Sequence, residues 1–339
     1  MYKVILIAWF ALVAGIGSHF ETAYAQVPPG VINVAWSPDG QYVAAAGKNA
    51  LWFENRTTGA VTSLAAYSGI AVGLAWSPDS QRLATSGTDD APDGQVNTAY
   101  GDLNVIRIWH VSGALLATFS DFYDLVQAVD WSPDGTQLVI ATVGETDSVR
   151  VLDMTTYDPI PIVAWNVTYA SNVAWSRDGA RIAFGTPTGA FIVPSATPLS
   201  FSQLSDYAVG WRKQAFSIRW NPQSTRVAIG YRDRILVWDL LTWRQVWAIT
   251  AHSGVVEGIA WSPRGDSIAS ISSQDHRVKI WDAATGAHVA TYPNESRVAS
   301  LGLAWHPNLN SSQLAYGGEP TTVLTFVQVP TDSLPTSPF

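Results

Sequence analysis

Three residue types that hydrolases combine for nucleophilic catalysis lie near one another in the last third of the chain. They are His252, Ser270 and Asp275, and a serine activated by a histidine and a carboxylate could attack an ester or an amide. The chain has no Gly-x-Ser-x-Gly segment, which would hold such a serine on an exposed turn. Ser270 instead falls inside a predicted strand. We therefore expect a structural hydrogen-bond network rather than an enzyme, because buried polar side chains are normally bonded.

Metal and cofactor chemistry is also not indicated by the sequence. Cysteine is absent, which excludes thiolate metal sites, disulfides and cysteine nucleophiles. The histidines beyond residue 25 are scattered, and none has the His-Glu-x-x-His spacing of a zinc site. We therefore predict no metal ion and no cofactor.

An acidic segment, residues 88–103, is the one large insertion. A calcium loop is the less favoured interpretation, because Tyr100 stands where a twelve-residue loop needs its terminal glutamate. We interpret the segment as a solvated loop. Function often concentrates on long loops over a rigid scaffold, so three of its aspartates are candidate partner-binding residues: Asp89, Asp90 and Asp93.

A second candidate binding segment, residues 205–214, contains residue types that often anchor protein interfaces. These are Tyr207, Trp211, Arg212 and Lys213. The alternative, which the sequence leaves equally open, is that Trp211 covers the edge of a sheet while the two cations face water.

A repeated motif shows which elements must position these residues. The motif is the segment Val34–Gly40, with the sequence Val-Ala-Trp-Ser-Pro-Asp-Gly, and variants of it recur at six more tryptophans: Trp76, Trp131, Trp175, Trp220, Trp261 and Trp305. Each copy fits a strand followed by a type I turn. Periods of about 40–45 residues are typical of β-propellers with four-stranded blades. We therefore predict an all-β, seven-bladed β-propeller.

Two segments in later repeats carry a family resemblance. Residues 237–239 and 280–282 place a Trp-Asp pair at the end of a β-branched run. Together with the Ser-Pro-Asp-Gly turns, they resemble the WD-repeat β-propeller family over about residues 31–329. The resemblance implies a hydrogen-bonded tetrad of His252, Ser270, Asp275 and Trp281. It also implies a platform for protein binding.

Two charged residues depart from the repeat. Five copies have alanine before the repeated tryptophan, whereas Asp130 and Arg219 occupy that position in two others. A functional interpretation makes them polar groups of the central channel. We expect that each is solvated in the channel or hydrogen-bonded to the next blade, because an unpaired buried charge is costly.

The two ends of the chain predict how the ring closes and where the protein is located. Residues 1–25 contain the apolar run Val4–Gly17 before Ala23-Tyr24-Ala25, which is typical of a cleaved signal peptide. We expect a propeller over 26–330 and a proline-rich tail over 331–339. Because proline cannot donate to a sheet ladder, the seventh blade should have three strands, or a very short outer strand from residues 25–27.

The leading functional hypothesis is a non-catalytic interaction scaffold for a protein or peptide. The protein would be a secreted or periplasmic monomer without a stable membrane anchor. A net charge of −8 and the lack of a dense basic run argue against a nucleic-acid partner. The alternatives are a propeller that binds a small molecule or glycan at the channel mouth, or an unrecognised propeller enzyme. Both would need a concave pocket with convergent polar groups.

Overall fold

The structure is a computed structural model and consists of β-strands. It describes residues 30–48, 50–64, 67–90, 102–122, 124–144, 148–157, 161–165, 167–196, 208–209, 214–294, 302–317 and 324–329. No helix occurs within those ranges, and hence none that is long and apolar enough to cross a membrane.

The strands form seven antiparallel sheets in chain order, one for each tryptophan repeat. Blades one to three contain β1 Gly30–Trp36, β2 Tyr42–Lys48, β3 Ala50–Asn55, β4 Val61–Ser63, β5 Ala71–Trp76, β6 Arg82–Asp90, β7 Asp102–His110, β8 Leu115–Phe122, β9 Val126–Trp131, β10 Gln137–Thr142, β11 Val149–Asp153 and β12 Pro161–Trp165. Blades four to seven contain β13 Asn172–Trp175, β14 Arg181–Thr186, β15 Gly189–Pro194, β16 Ala208–Val209, β17 Ser217–Trp220, β18 Arg226–Tyr231, β19 Arg234–Asp239, β20 Arg244–Thr250, β21 Gly258–Trp261, β22 Ser267–Ser272, β23 Arg277–Asp282, β24 His288–Pro293, β25 Leu303–Trp305, β26 Gln313–Gly317 and β27 Leu324–Gln328.

The predicted seven-bladed propeller is confirmed. Six blades have four strands, and the seventh has three among the residues that the structure describes. A short outer strand from residues 25–27 would involve a segment outside the described ranges. The fourth strand of blade four, β16, comprises only Ala208–Val209.

The turn after each repeated tryptophan is held by its own side chains. In blade one, the Ser37 hydroxyl donates to an Asp39 carboxylate oxygen at 2.5 Å and accepts the backbone N–H of Tyr42 at 2.9 Å. Gly40 closes the turn at a φ of 72°, in the left-handed region that glycine adopts without steric cost. This local chemistry fixes the hairpin and places the tryptophan at the end of the innermost strand.

The hydrophobic cores lie between the blades. Each packs one face of a blade against the facing surface of the next, as Ile106 and Ile108 of blade two do with Val126 and Leu138 of blade three. The ring is therefore closed by a core between its last and first blades, where Ala315 of blade seven meets Val31 of blade one.

One hairpin is longer than predicted. The inserted segment of blade two begins and ends inside the sheet, because β6 and β7 remain paired as far as Asp90 and Asp102. Asp89 and Asp90 are thus strand residues at the base of the insertion rather than loop residues.

Candidate functional site

The serine, histidine and aspartate of blade six form one hydrogen-bonded chain with Trp281. The Trp281 indole N–H donates to Ser270 Oγ at 2.8 Å, and Ser270 Oγ lies 2.8 Å from His252 Nε2. His252 Nδ1 lies 2.9 Å from a carboxylate oxygen of Asp275. Burial lowers the pKa of His252, which favours a neutral ring that accepts from Ser270 and donates to Asp275.

This network resembles a catalytic triad in its order but lacks access to a substrate. Ser270 is 0% exposed within β22, and it does not line the channel cavity. A nucleophile must reach the reacting atom of its substrate. The tetrad is therefore suited to a structural role, in which it joins β22, β23 and the loop that contains His252.

Blade two contains a second network of the same design, which the sequence analysis missed. The Trp109 indole N–H donates to Thr85 Oγ1 at 3.1 Å, and Thr85 Oγ1 lies 2.8 Å from the Tyr67 hydroxyl. Arg107 lies over the Tyr67 ring at 4.7 Å and forms a 2.5 Å ion pair with Asp89. The usable signal was Thr85, which follows Trp76 at the same interval at which Ser270 follows Trp261.

Most of the repeated tryptophans line the central channel, and five of the seven link neighbouring blades. In five of them the indole N–H donates to the backbone carbonyl just before the tryptophan of the preceding blade, at 3.0–3.3 Å: Trp76, Trp131, Trp220, Trp261 and Trp305. Trp175 instead bonds Gly179 within its own blade at 3.2 Å. The indole nitrogen of Trp36 has no acceptor among the described residues.

Asp130 supplies the link between blades three and four that Trp175 does not make. One of its carboxylate oxygens accepts the backbone N–H of Trp175 at 2.7 Å, and the other accepts that of Trp131 at 3.0 Å. Burial raises the pKa of Asp130 to about 6.

Arg219 similarly joins blades four and five. Its Nη1 donates to Asn172 Oδ1 at 2.5 Å and to the backbone carbonyl of Ile218 at 2.8 Å. Burial lowers the pKa of Arg219. Both charged departures from the repeat therefore bond to a neighbouring blade: Asp130 to the next blade, as predicted, and Arg219 to the preceding one. Both also line the cavity of the channel.

The central channel contains a cavity of about 630 Å³ at the end where the repeated tryptophans lie. Its walls are mostly apolar strand residues, tryptophan rings and turn prolines. The charged residues among its lining are Asp130, Arg177 and Arg219. A cavity of this size and lining can accept a small molecule.

An apolar patch covers the outer edge of blade five. Leu241 is 77% exposed, Trp243 45% and Val246 37%. Trp243 has a φ of 54°, at the turn position where blades one and six have Gly59 and Gly286. A bulky residue in this region is disfavoured by about 1–2 kcal/mol, so the fold alone does not select tryptophan here.

Several predicted site residues cannot be placed. Tyr207, Trp211, Arg212, Lys213 and Asp93 lie outside the described residues. No group of three His, Cys, Asp or Glu side chains within the described part of the chain could hold a metal ion.

Comparisons with known proteins agree with this architecture. The family model described as the anaphase-promoting complex subunit 4 WD40 domain matches residues 218–308. The B-type cell cycle switch protein ccs52B of Medicago truncatula is 23% identical over 66% of this chain and 45% of its own length. Protein FIZZY-RELATED 3 of Arabidopsis thaliana is 23% identical over 62% and 44%. The chain thus spans less than half the length of these relatives.

Two solved structures share the fold. The β-propeller domain of Myceliophteria thermophila Cps50 (Swd1) superposes with a TM-score of 0.70 at 15% identity, covering 90% of this chain and 98% of that one. A chain of the Mitotic Checkpoint Complex also gives 0.70 at 19% identity, covering 88% and 89%.

The relatives correct one expectation from the sequence. They are cell-cycle switch and FIZZY-related proteins, and such cell-cycle proteins are intracellular. The predicted secreted or periplasmic location is therefore wrong. The apolar run that suggested it lies in residues 1–29, outside the described part of the chain.

Proposed function

Because the chain belongs to the WD-repeat β-propeller family, we propose that it is a non-catalytic scaffold that binds a protein or peptide partner. The matched family model is named for a subunit of a complex, and one structural neighbour is a chain of a checkpoint complex. These names support an interaction role. Where a partner would bind this chain is indicated by an exposed apolar surface on blade five.

The observation that carries the proposal is the apolar patch of Leu241, Trp243 and Val246. Exposed tryptophan is among the residue types that most often dominate binding energy, and exposed apolar groups that cluster are typical of interaction sites. Trp243 also occupies a left-handed position. Strain of this kind is commonly found where function rather than folding selects the residue.

The proposal can be tested by replacing Trp243 with the residue that blades one and six use there. The Trp243→Gly protein should fold with a stability within about 1 kcal/mol of the wild type, because relief of the backbone strain offsets lost contacts. Proteins captured by the wild-type chain from a cell extract would be quantified by mass spectrometry. A partner bound through this patch should be lost from Trp243→Gly and from Leu241→Ser.

A matched control exists in blade three, where Tyr157 occupies the equivalent turn position at a φ of 54°. Tyr157→Gly makes the same backbone change on another blade, so it should retain the partner. The blade five proposal fails if all three variants capture the same proteins in the same amounts as the wild type.

A further inference from the structure

The channel cavity has an excess of positive charge that the fold does not require. Its three charged lining residues are Asp130, Arg177 and Arg219, so they carry a net charge of +1 in a chain whose net charge is −8. Both oxygens of Asp130 already accept backbone N–H groups. This carboxylate is therefore committed to holding blades three and four together.

Neither arginine is in direct ion-pair contact with a carboxylate, although both interact electrostatically with Asp130 at longer range. No ion pair among the described residues includes Arg177 or Arg219. Arg219 donates only through Nη1, and only to two neutral oxygens. Its other guanidinium N–H groups have no hydrogen-bond partner among the described residues, and they are not fully buried. Since Arg219 lines the cavity, these groups can be reached from it.

The other blades show what these positions need for folding. Arg177 follows Ser176 in the blade four turn, where the turns of the other six blades have proline. The turn itself is the usual one, since Ser176 Oγ donates to Asp178 at 2.6 Å and Gly179 has a φ of 76°. Arg219 stands where five blades have alanine. Two neighbouring blades thus each add a cation to the same cavity, although proline and alanine suffice to build the ring.

Most of the other residues that line the cavity are apolar, with Asn33 as a polar exception. The lining includes five turn prolines and six of the repeated tryptophans. An apolar wall with a small number of placed polar groups is the usual character of a small-molecule site. A guanidinium forms its strongest contacts with carboxylates, often through two parallel hydrogen bonds.

We propose that this mouth of the central channel binds a small organic acid, with Arg177 and Arg219 holding its carboxylate and the tryptophan and proline rings enclosing its apolar part. The site is distinct from the blade five patch, which lies on the outer edge of the ring. The acid is a free small molecule, because a cavity of about 630 Å³ lined by the innermost strands and their turns matches the size of such a ligand.

Calorimetric titration with 3-phenylpropionate tests the proposal, with 3-phenylpropanol as a probe that keeps the ring and lacks the charge. The acid should bind saturably at one site per chain and the alcohol at least tenfold more weakly. Arg177→Pro and Arg219→Ala introduce the residues that most other blades have at these two positions, and each should weaken binding of the acid at least tenfold. Arg244→Ala removes an exposed cation from β20 and should leave the affinity unchanged.

The proposal is overturned if the acid shows no saturable binding, if the alcohol binds equally well, or if both channel variants bind the acid as the wild type does. Arg219 also joins two blades, so Arg219→Ala can lose stability. Arg177 makes no hydrogen bond or ion pair within the described residues, so its replacement should not destabilise the fold. If Arg219→Ala is unstable, binding by Arg177→Pro and Arg177→Gln therefore decides the result. Because the readout is a small ligand, failure here leaves the protein-binding proposal for blade five standing.

Discussion

Blade six and the junction between blades seven and one are built from the same repeat but held together differently. Blade six has four strands and a tetrad whose polar side-chain groups are all bonded. At the junction, blade seven has three described strands, and the Trp36 indole nitrogen has no acceptor among the described residues. The hydrogen-bond network that stabilises blade six is therefore not the means by which the last and first blades are joined.

The junction depends instead on close packing and ring contacts. Gly302 donates its backbone N–H to the Ile32 carbonyl at 2.9 Å. The Trp36 ring packs edge-on against His306, with centroids 4.5 Å apart, and Arg56 lies 4.3 Å from the centre of the Phe326 ring. Contacts of this kind contribute about 0.5–1.5 kcal/mol each, so the junction is stabilised by many small terms.

The largest expected effect comes from breaking the blade six network. Ser270→Ala removes the acceptor of the Trp281 indole and the partner of His252, leaving two buried polar groups unsatisfied. At about 1–3 kcal/mol for each such group, the free energy of unfolding should fall by about 2–6 kcal/mol in urea titration.

Ser267 provides the matched control for that change. It is equally buried in β22, but its hydroxyl has no partner among the described residues. Ser267→Ala should therefore leave stability unchanged or raise it. Equal losses in the two variants would contradict the network interpretation.

At the junction, the strongest test is Gly302→Ala. A β-carbon at position 302 would come within 2.5 Å of the backbone nitrogen of Val34, so the last and first blades would have to separate. Overpacking of this kind costs about 1–3 kcal/mol, which should appear as a lower thermal midpoint. An unchanged midpoint would show that the two blades are not in close contact.

Hydrogen exchange compares the two regions without mutation. The outermost described strand of blade seven, β27, has a free edge, whereas β23 of blade six is paired on both sides. Amides of Leu324–Gln328 should exchange at least tenfold faster than those of Arg277–Asp282, because edge strands open locally at lower free energy. Equal protection would mean that another segment pairs with β27.

A smaller effect separates two tryptophans of the channel ring. Trp305→Phe loses the 3.3 Å bond to the Ala260 carbonyl, whereas Trp36→Phe loses no indole bond within the described structure. Trp305→Phe should therefore be less stable than Trp36→Phe by about 0.5–1.5 kcal/mol. If Trp36→Phe is the less stable variant, its indole has an acceptor beyond the described residues.

The smallest expected effect concerns pH. Burial lowers the pKa of His252 below its ordinary value, so the unfolded chain binds more protons and this contribution to stability is lost as pH falls below about 6.5. Asp130 acts in the opposite sense. Because its pKa is raised to about 6, the folded chain takes up a proton before the unfolded chain does, and stability is gained as pH falls from about 6 to about 4. Urea titrations at pH 7 and pH 5 should show a smaller acid loss in His252→Gln than in wild type. The Asp130→Asn protein should show a larger one.

The sequence predicted the parts of this molecule that are set by local chemistry. The tryptophan motif and its turn specify a hairpin within a few residues, so seven copies predicted seven blades. The contacts of Arg219 with Asn172 and of Trp175 with Asp130 depend on how blades more than forty residues apart in the chain face one another. The left-handed Trp243 and the unbonded Trp36 indole likewise became visible only once the ring was assembled.

The one-directional order of the indole bonds has a mechanical consequence. Each bonded tryptophan reaches back to the blade before it, and this series has no link from Trp36 back to blade seven among the described residues. Among the described residues the series is thus open at two places: at Trp175, where Asp130 supplies the link instead, and at Trp36, where a backbone hydrogen bond and ring packing join the blades. Under tension between the first and last strands, we expect the described contacts between blades seven and one to yield before the sheets do, because they are fewer and individually weaker than the ladder hydrogen bonds within a blade.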